Sequence, residues 1–248
     1  MILRPWRSRC SVSELPKLNS RGKGTIGLVD VGSVGGMPQE WRPYACEIRF
    51  LLNFEPRESA IRTDNVFTSN TGLWSEQCER PFYIYKGLDG SGSSLYLQNY
   101  DYVRKNWNFL RQRGPQQLAE TWFERSSLVR TEQVVLQRLD DVITEVAPLP
   151  FHFMKVDAQG AEFEVLRGAD HFLRSSCIGL FLELFVFPLY KDIKLLPEVE
   201  SFLSSRGFKL AKKFPAHGTF DSQHDCLFLK EGISSVASDL IRRVYDVE

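Results

Sequence analysis

Short apolar runs broken by polar turns recur along the chain, and between them apolar residues return every three or four positions, so strands and helices should alternate. Residues 25–31 open the pattern. Ile26, Leu28, Val29 and Val31 read as a strand buried on both faces, as in a parallel sheet under helices. Gly32, Ser33, Val34, Gly35 and Gly36 follow, a turn whose backbone can take positive φ and bring amides close to a ligand. Pro38 and Pro43 around Trp41 predict a short, distorted helix over 37–44. A second buried strand is expected over 47–55, with Ile48, Phe50, Leu51, Leu52 and Phe54 before Glu55 and Pro56. Residues 65–73 read as a third strand, 81–86 as an added one with Phe82, Tyr83 and Tyr85, and 87–94 as a Gly/Ser loop.

From 95 to 128 the periodicity fades among aromatic and basic residues, including Tyr100, Trp107, Trp122, Arg104 and Arg111. Ordinary packing on short helices and a substrate lid are both open readings there. Residues 134–141 lead into a helix holding Val142 and Ile143, which Pro148 and Pro150 close. A strand over 151–156 ends at Asp157, and 160–168 reads as a helix with Phe163, Val165 and Leu166 inward and Glu162 in its first turn. Residues 178–187 form a further strand with Glu183 inside it. A helix over 197–206 buries Val199, Phe202 and Leu203, and 209–214 and 226–230 close the sheet across the polar loop 215–225. This alternation predicts a doubly wound, mainly parallel α/β sheet. One domain should cover 25–248 after an arm at 1–24, with 86–130 as a lid or acceptor-binding insertion.

Composition narrows the function classes. The chain has 248 residues, enough for one large α/β domain, and its 31 basic and 31 acidic residues cancel. No global field favours nucleic acid or an anionic membrane. Five cysteines lack C-x-x-C spacing and read as reduced thiols of a cytoplasmic protein. The first twenty residues have no apolar core of a secretory signal, and the apolar run 178–190 is too short to span a bilayer.

Asp30, Glu55, Asp157 and Glu183 lie at or near the carboxyl ends of four proposed strands, the edge where open α/β sheets bind ligands. Glu55 follows the glycine turn at about the interval at which an acid takes the ribose hydroxyls of an adenosine ligand. The turn itself is G-x-x-G-G, not the G-x-G-x-x-G of a dinucleotide site. An acid just before it, Asp30, repels a pyrophosphate but suits an ammonium group, held directly or through water. An ammonium and a carboxylate are what the amino-acid end of S-adenosylmethionine offers. His217, Asp221, His224 and Asp225 form a His/acid cluster in the last loop, but their spacing fits no zinc motif, so no metal is assigned and a solvated loop is the expectation.

Val29-Asp30-Val31-Gly32 with Gly35-Gly36 and Trp41, followed by Phe54-Glu55-Pro56, resembles the cofactor half of the FkbM family of S-adenosylmethionine-dependent methyltransferases. Leu139-Asp140-Asp141, the run Lys155-Val156-Asp157-Ala158-Gln159-Gly160-Ala161-Glu162, Val165 to Ala169, and Glu183 in its apolar strand resemble that family's second half. Ser93-Ser94-Leu95 and Pro188-Leu189-Tyr190 fit as well. The resemblance implies a Rossmann-like methyltransferase fold with an antiparallel last strand, and O-methylation of a hydroxyl on a sugar, glycan or natural product. The chain departs from the family turn in carrying Ser33-Val34 where an asparagine is common. Asp30, Gly32, Ser33, Gly35, Glu55 and Leu73 are the residues expected to hold the cofactor. Asp157 is the first choice of base, with Lys155, Glu162 and Glu183 placed to orient it or the acceptor. Two rivals stay open. The basic aromatic stretch 100–125 would suit nucleic-acid methylation, and a binding module without turnover would use the same cofactor pocket.

Overall fold

A computed structural model describes residues 24–32, 36–63, 65–87, 91–146 and 150–248. In chain order, β1 (Ile26–Val31) leads through a 3₁₀ helix at Gln39–Glu47 to β2 (Ile48–Phe54), then to β3 (Ile61–Arg62), β4 (Val66–Ser69), β5 (Gly72–Leu73) and β6 (Cys78–Tyr85). Four short helices follow, α1 (Tyr100–Lys105), α2 (Trp107–Leu110), α3 (Gln116–Glu120) and α4 (Trp122–Arg125). After β7 (Leu128–Gln137) come α5 (Leu139–Val146), β8 (Phe153–Val156), α6 (Glu162–Arg167), α7 (Asp170–Ser175), β9 (Gly179–Phe185) and α8 (Leu196–Ser204). The chain closes with β10 (Phe208–Lys213), β11 (Gln223–Lys230) and α9 (Val236–Val244).

Eight strands form one α/β sheet in the order β10-β11-β9-β8-β1-β2-β4-β3. The centre, β4-β2-β1-β8-β9, is parallel, and β11 runs antiparallel to both β9 and β10. Side chains alternate across each central strand and feed two apolar cores. Val29, Val31, Leu52, Met154, Val156 and Leu182 face one layer with Val165, Leu166, Leu173 and Val199. Ile26, Leu28, Leu51, Phe153, Phe181 and Leu227 face the other, with Trp41, Leu240, Ile241 and Tyr245. The expectation of strands buried on both faces therefore holds for β1, whose six residues are all buried.

Several elements differ from the sequence expectation. The third strand over 65–73 divides into β4 in the large sheet and β5 in a second sheet ordered β5-β7-β6. The strand expected over 81–86 is longer and belongs to that second sheet. Its partner β7 was not expected, because Leu128, Val129 and Val135 are exposed and their ordinary strand signal is diluted by Arg130, Glu132 and Gln133. Residues 100–125 are short helices packed around one another, the ordinary-packing reading. Trp122 meets Tyr100 at 5.6 Å and Phe123 at 4.9 Å, so these rings are spent on internal contacts, while Arg104 lies beside Tyr100 and Phe123 with most of its side chain exposed. Phe163 is only partly buried and meets Phe202 edge-on at 5.0 Å. Helices α7 and α9 carried no expectation.

The motif acid Asp140 now has a physical role. Its two carboxylate oxygens accept from the amides of His171 and Phe172, both at 2.9 Å, and cap the start of α7 from 31 and 32 residues away. Cys46, Cys78, Cys177 and Cys226 are unpaired. Among the described residues no helix is long and apolar enough to cross a membrane.

The last helix closes its face of the sheet through Tyr245, whose ring stacks on Phe153 at 5.5 Å and Phe181 at 4.6 Å. Its hydroxyl accepts from the indole of Trp41 at 3.1 Å, and Trp41 is fully buried. Tyr245→Phe keeps the stacking but strands a buried donor. It should lower stability by about 1–3 kcal/mol in urea denaturation, whereas an unchanged midpoint would show that the indole has another partner.

Candidate functional site

The carboxyl edge of the parallel strands opens onto a cavity of about 630 Å³, in the range of small-molecule sites. Val31 and Gly32 reach it from β1, Phe54 and Glu55 from β2, and Lys155, Asp157 and Gln159 from β8 and the turn beyond it. The second sheet supplies an apolar wall of Leu73, Phe82 and Leu136, and Ser91, Ser93 and Leu95 complete it.

Glycine is needed at position 32. Its φ is 78°, and a Cβ there would lie 2.0 Å from the Asp157 carbonyl oxygen. The close approach is clasped from both sides, with Gly32 N–H donating to Phe54 O and Asp157 N–H donating to Val31 O, each at 3.0 Å. Ser33 and Gly35 lie outside the described residues. Glu55 follows β2 directly and faces the cavity, only 8% exposed. Burial raises its carboxyl above the usual range, against the pull of the Arg57 amide, which donates to Oε1 at 3.1 Å.

Asp30 is placed differently from the other expected cofactor residues. It does not line the cavity but lies on the opposite side of β1, in register with Asn53 and Lys155 and 2% exposed. Burial pushes its carboxyl up to about 7, although the Lys155 ammonium pulls it down. That ammonium sits 3.7 Å from Asp30 Oδ1, an ion pair too long to be a hydrogen bond, and 3.9 Å from Asp157 Oδ2. Burial opposes the charge on Lys155, but Asp30 and Asp157, with Glu40 and Glu183, outweigh it and raise its pKa. Lys155 thus stands between an acid below the sheet edge and an acid on the cavity wall.

Gln159 is the residue that sequence reasoning missed as a functional group. Its Nε2 donates to Asp157 Oδ1 at 2.9 Å and to Glu183 Oε2 at 2.7 Å, and its Oε1 accepts from the Tyr190 hydroxyl at 3.3 Å. Its backbone takes a left-handed φ of 49°, and its carbonyl accepts from Ser94 Oγ at 2.6 Å. A neutral amide inside a motif gives no charge signal. Only its place between two acids could have marked it. Glu162 is no plain helix-start acid. It is 2% exposed, and its Oε1 accepts from the amides of Ala158 at 2.9 Å and Gly160 at 3.2 Å, holding the turn that presents Asp157. Burial nonetheless pushes its carboxyl up to about 7.

The loop 215–225 is anchored and not merely solvated. His217 and Gln223 exchange backbone hydrogen bonds at 3.0 and 3.3 Å, and the fully buried Phe220 packs against Trp107 and Trp122. Of the four residues singled out there, His217 and Asp225 meet at 3.5 Å. His224 does not join them, because its Nδ1 pairs with Phe214 O at 2.8 Å, and Asp221 sits beside Gly114.

A family model described as the methyltransferase FkbM domain matches residues 44–210. A solved structure of methyltransferase FkbM from Methylobacillus flagellatus KT is similar, at 11% identity and a TM-score of 0.46, over 83% of this chain and 43% of that one. The chain therefore spans less than half the length of that protein. No curated protein matches.

Removing Glu162 leaves two amides of the turn unpaired, so Glu162→Ala should cost about 2–4 kcal/mol in urea denaturation. Glu162→Gln keeps an accepting oxygen and should lose less. The wild-type carboxyl holds its proton in the fold up to about 7 but releases it near 4.5 when unfolded. Its contribution is therefore fully present below that lower value and is lost as pH rises to about 7. Across this window Glu162→Gln should gain on the wild type as pH rises, and parallel stability profiles would contradict the assignment.

Proposed function

Because the chain belongs to the FkbM methyltransferase domain family, we propose that it moves a methyl group from S-adenosylmethionine to a hydroxyl oxygen of a sugar, glycan or natural-product acceptor. The sheet is read as a doubly wound, Rossmann-like methyltransferase fold. The observation that carries this reading is the cavity at the carboxyl edge, with the Glu55 carboxylate and the Gly32 turn at one end and the Asp157 carboxylate on the same wall system.

The residues fit that cofactor. Glu55 is a nearly buried acceptor facing the cavity, the arrangement a ribose diol needs. Leu73, Phe82 and Leu136 offer an apolar surface for an adenine ring. Gly32 lines the cavity, and Ser33 and Gly35, next in sequence, are proposed to offer backbone amides to the cofactor's carboxylate. Asp30, which does not line the cavity, fixes Lys155 and the end of β1 from the other side of the strand. When bound, the sulfonium supplies an electrophilic methyl.

Transfer breaks the sulfur–carbon bond and forms a carbon–oxygen bond, and the acceptor's hydroxyl proton must leave. Asp157 takes that proton. Its Oδ1 is fixed by Gln159, and the Lys155 ammonium stands 3.9 Å from Oδ2. Glu183 positions Gln159 from behind. The helical segment 95–128, packed beside the cavity-lining loop, is read as the acceptor side.

Glu55→Ala should weaken S-adenosylhomocysteine binding by about tenfold to a hundredfold in calorimetry, the loss of a pair of hydrogen bonds to a charged acceptor. Asp157→Asn should bind it within about threefold of wild type yet transfer labelled methyl about 10²–10⁴ times more slowly. Undiminished binding by folded Glu55→Ala, or tight uptake of NAD, would refute the reading.

A further inference from the structure

Behind the cavity wall stands a second group of side chains. Asp225 on β11 lies directly opposite Glu183 on β9 in the antiparallel register, and the loop 215–225 brings His217 over both. One ligand-type atom from each of Glu183, His217 and Asp225 lies within 4.8 Å of the other two. We propose that these three residues bind a first-row divalent cation of the Mn²⁺ or Zn²⁺ class, a site distinct from the cofactor cavity.

Three observations carry the proposal. First, the spacing is close to that of a coordination shell, since ligands on opposite sides of an ion at about 2.1 Å each are about 4.2 Å apart. Second, His217 Nε2 is sealed from solvent and has no hydrogen-bond partner, although Asp225 Oδ2 is 3.5 Å away. An imidazole nitrogen that faces two carboxylates without bonding to either is, in its neutral tautomer, free to bind a cation there. Third, the ligands are pre-set. Gly218, at φ 74°, turns the chain after His217 so closely that a Cβ would lie 2.3 Å from Gln223 Oε1, and Gln223 Nε2 donates to Glu183 Oε2 at 2.5 Å.

Two carboxylates and one imidazole suit Mn²⁺, Fe²⁺ or Zn²⁺ better than Mg²⁺, which prefers oxygen alone. His217 and Asp225 keep over a third of their side-chain surface exposed, so the group lies near the surface although the His217 Nε2 atom is covered. Glu183 would then be shared between the ion and the Gln159 amide that holds Asp157, so occupancy would stiffen the cavity wall from behind.

The test is a titration of the full chain with Mn²⁺ after chelator treatment, read by the paramagnetic signal of free Mn²⁺, with Zn²⁺ as competitor. One saturable Mn²⁺ per chain is expected, displaced by Zn²⁺ and weakened at least about tenfold in both His217→Gln and Asp225→Asn. His224→Gln, whose ring is held elsewhere, should bind as the wild type does. Thermal midpoints in EDTA matching the parent show that the variants fold. Should Asp225→Asn not fold, His217→Gln on its half-exposed loop carries the test. No saturable uptake, or uptake equal in wild type and His217→Gln, would overturn the site and leave a proton-sharing cluster in its place. S-adenosylhomocysteine binding measured alongside separates the two readings. Cofactor uptake without Mn²⁺ uptake overturns only the metal site, and the reverse overturns only the methyltransferase assignment.

Discussion

Too many carboxylates for the cations at hand meet at the carboxyl edge of this sheet, and the rest of the site follows from how that charge is handled. Asp30, Glu55, Asp157, Glu162, Glu183 and Asp225 are gathered there, with Lys155 as the ammonium that Asp30 and Asp157 share. Leaving ionised groups buried and unpaired would be ruinous. The protein uses three means instead. Asp30 and Glu162 are pushed to about 7, so near neutrality each is close to half protonated. Lys155 stands between Asp30 and Asp157, and the Gln159 amide stands between Asp157 and Glu183.

The two sheets divide the labour. The large sheet brings acids to its edge because parallel strands end together there. It cannot by itself form a pocket, since that edge is open. The small sheet provides the missing wall, with Leu73 from β5, Phe82 from β6 and Leu136 from β7 facing the cavity. Glu162 and Gln159 then tie down the turn after β8, so the reacting edge is held from inside the fold while the apolar wall is added from outside.

Legibility in the sequence followed burial. β1, β2, β8 and β9 could be read because strands buried on both faces are continuous apolar runs, and the acids ending them stood out by contrast. β7 could not, because a half-exposed strand mixes its apolar and charged positions. Among site residues, Glu55, Leu73, Lys155 and Asp157 line the cavity, and the three charged ones stood out as polar positions at the ends of apolar runs. Asp30 was harder, because strand alternation decides which side an acid faces, and an offset of one residue at the strand's end turns it away from the cavity. The bonds of Gln159 and the approach of His217 to Glu183 and Asp225 depend on tertiary register, which no local pattern records.

The bond between Trp41 and Tyr245 joins residues 204 positions apart, and the amide of Gly27 reaches His152 across 125. Closing such distances costs chain entropy before any contact repays it, so a topology of this kind assembles slowly. One face of the central strand is sheltered only when the last helix has docked beside Trp41. Until residues 139–245 have folded onto it, the strand Ile26–Val31 leaves its apolar side chains open to association with other chains.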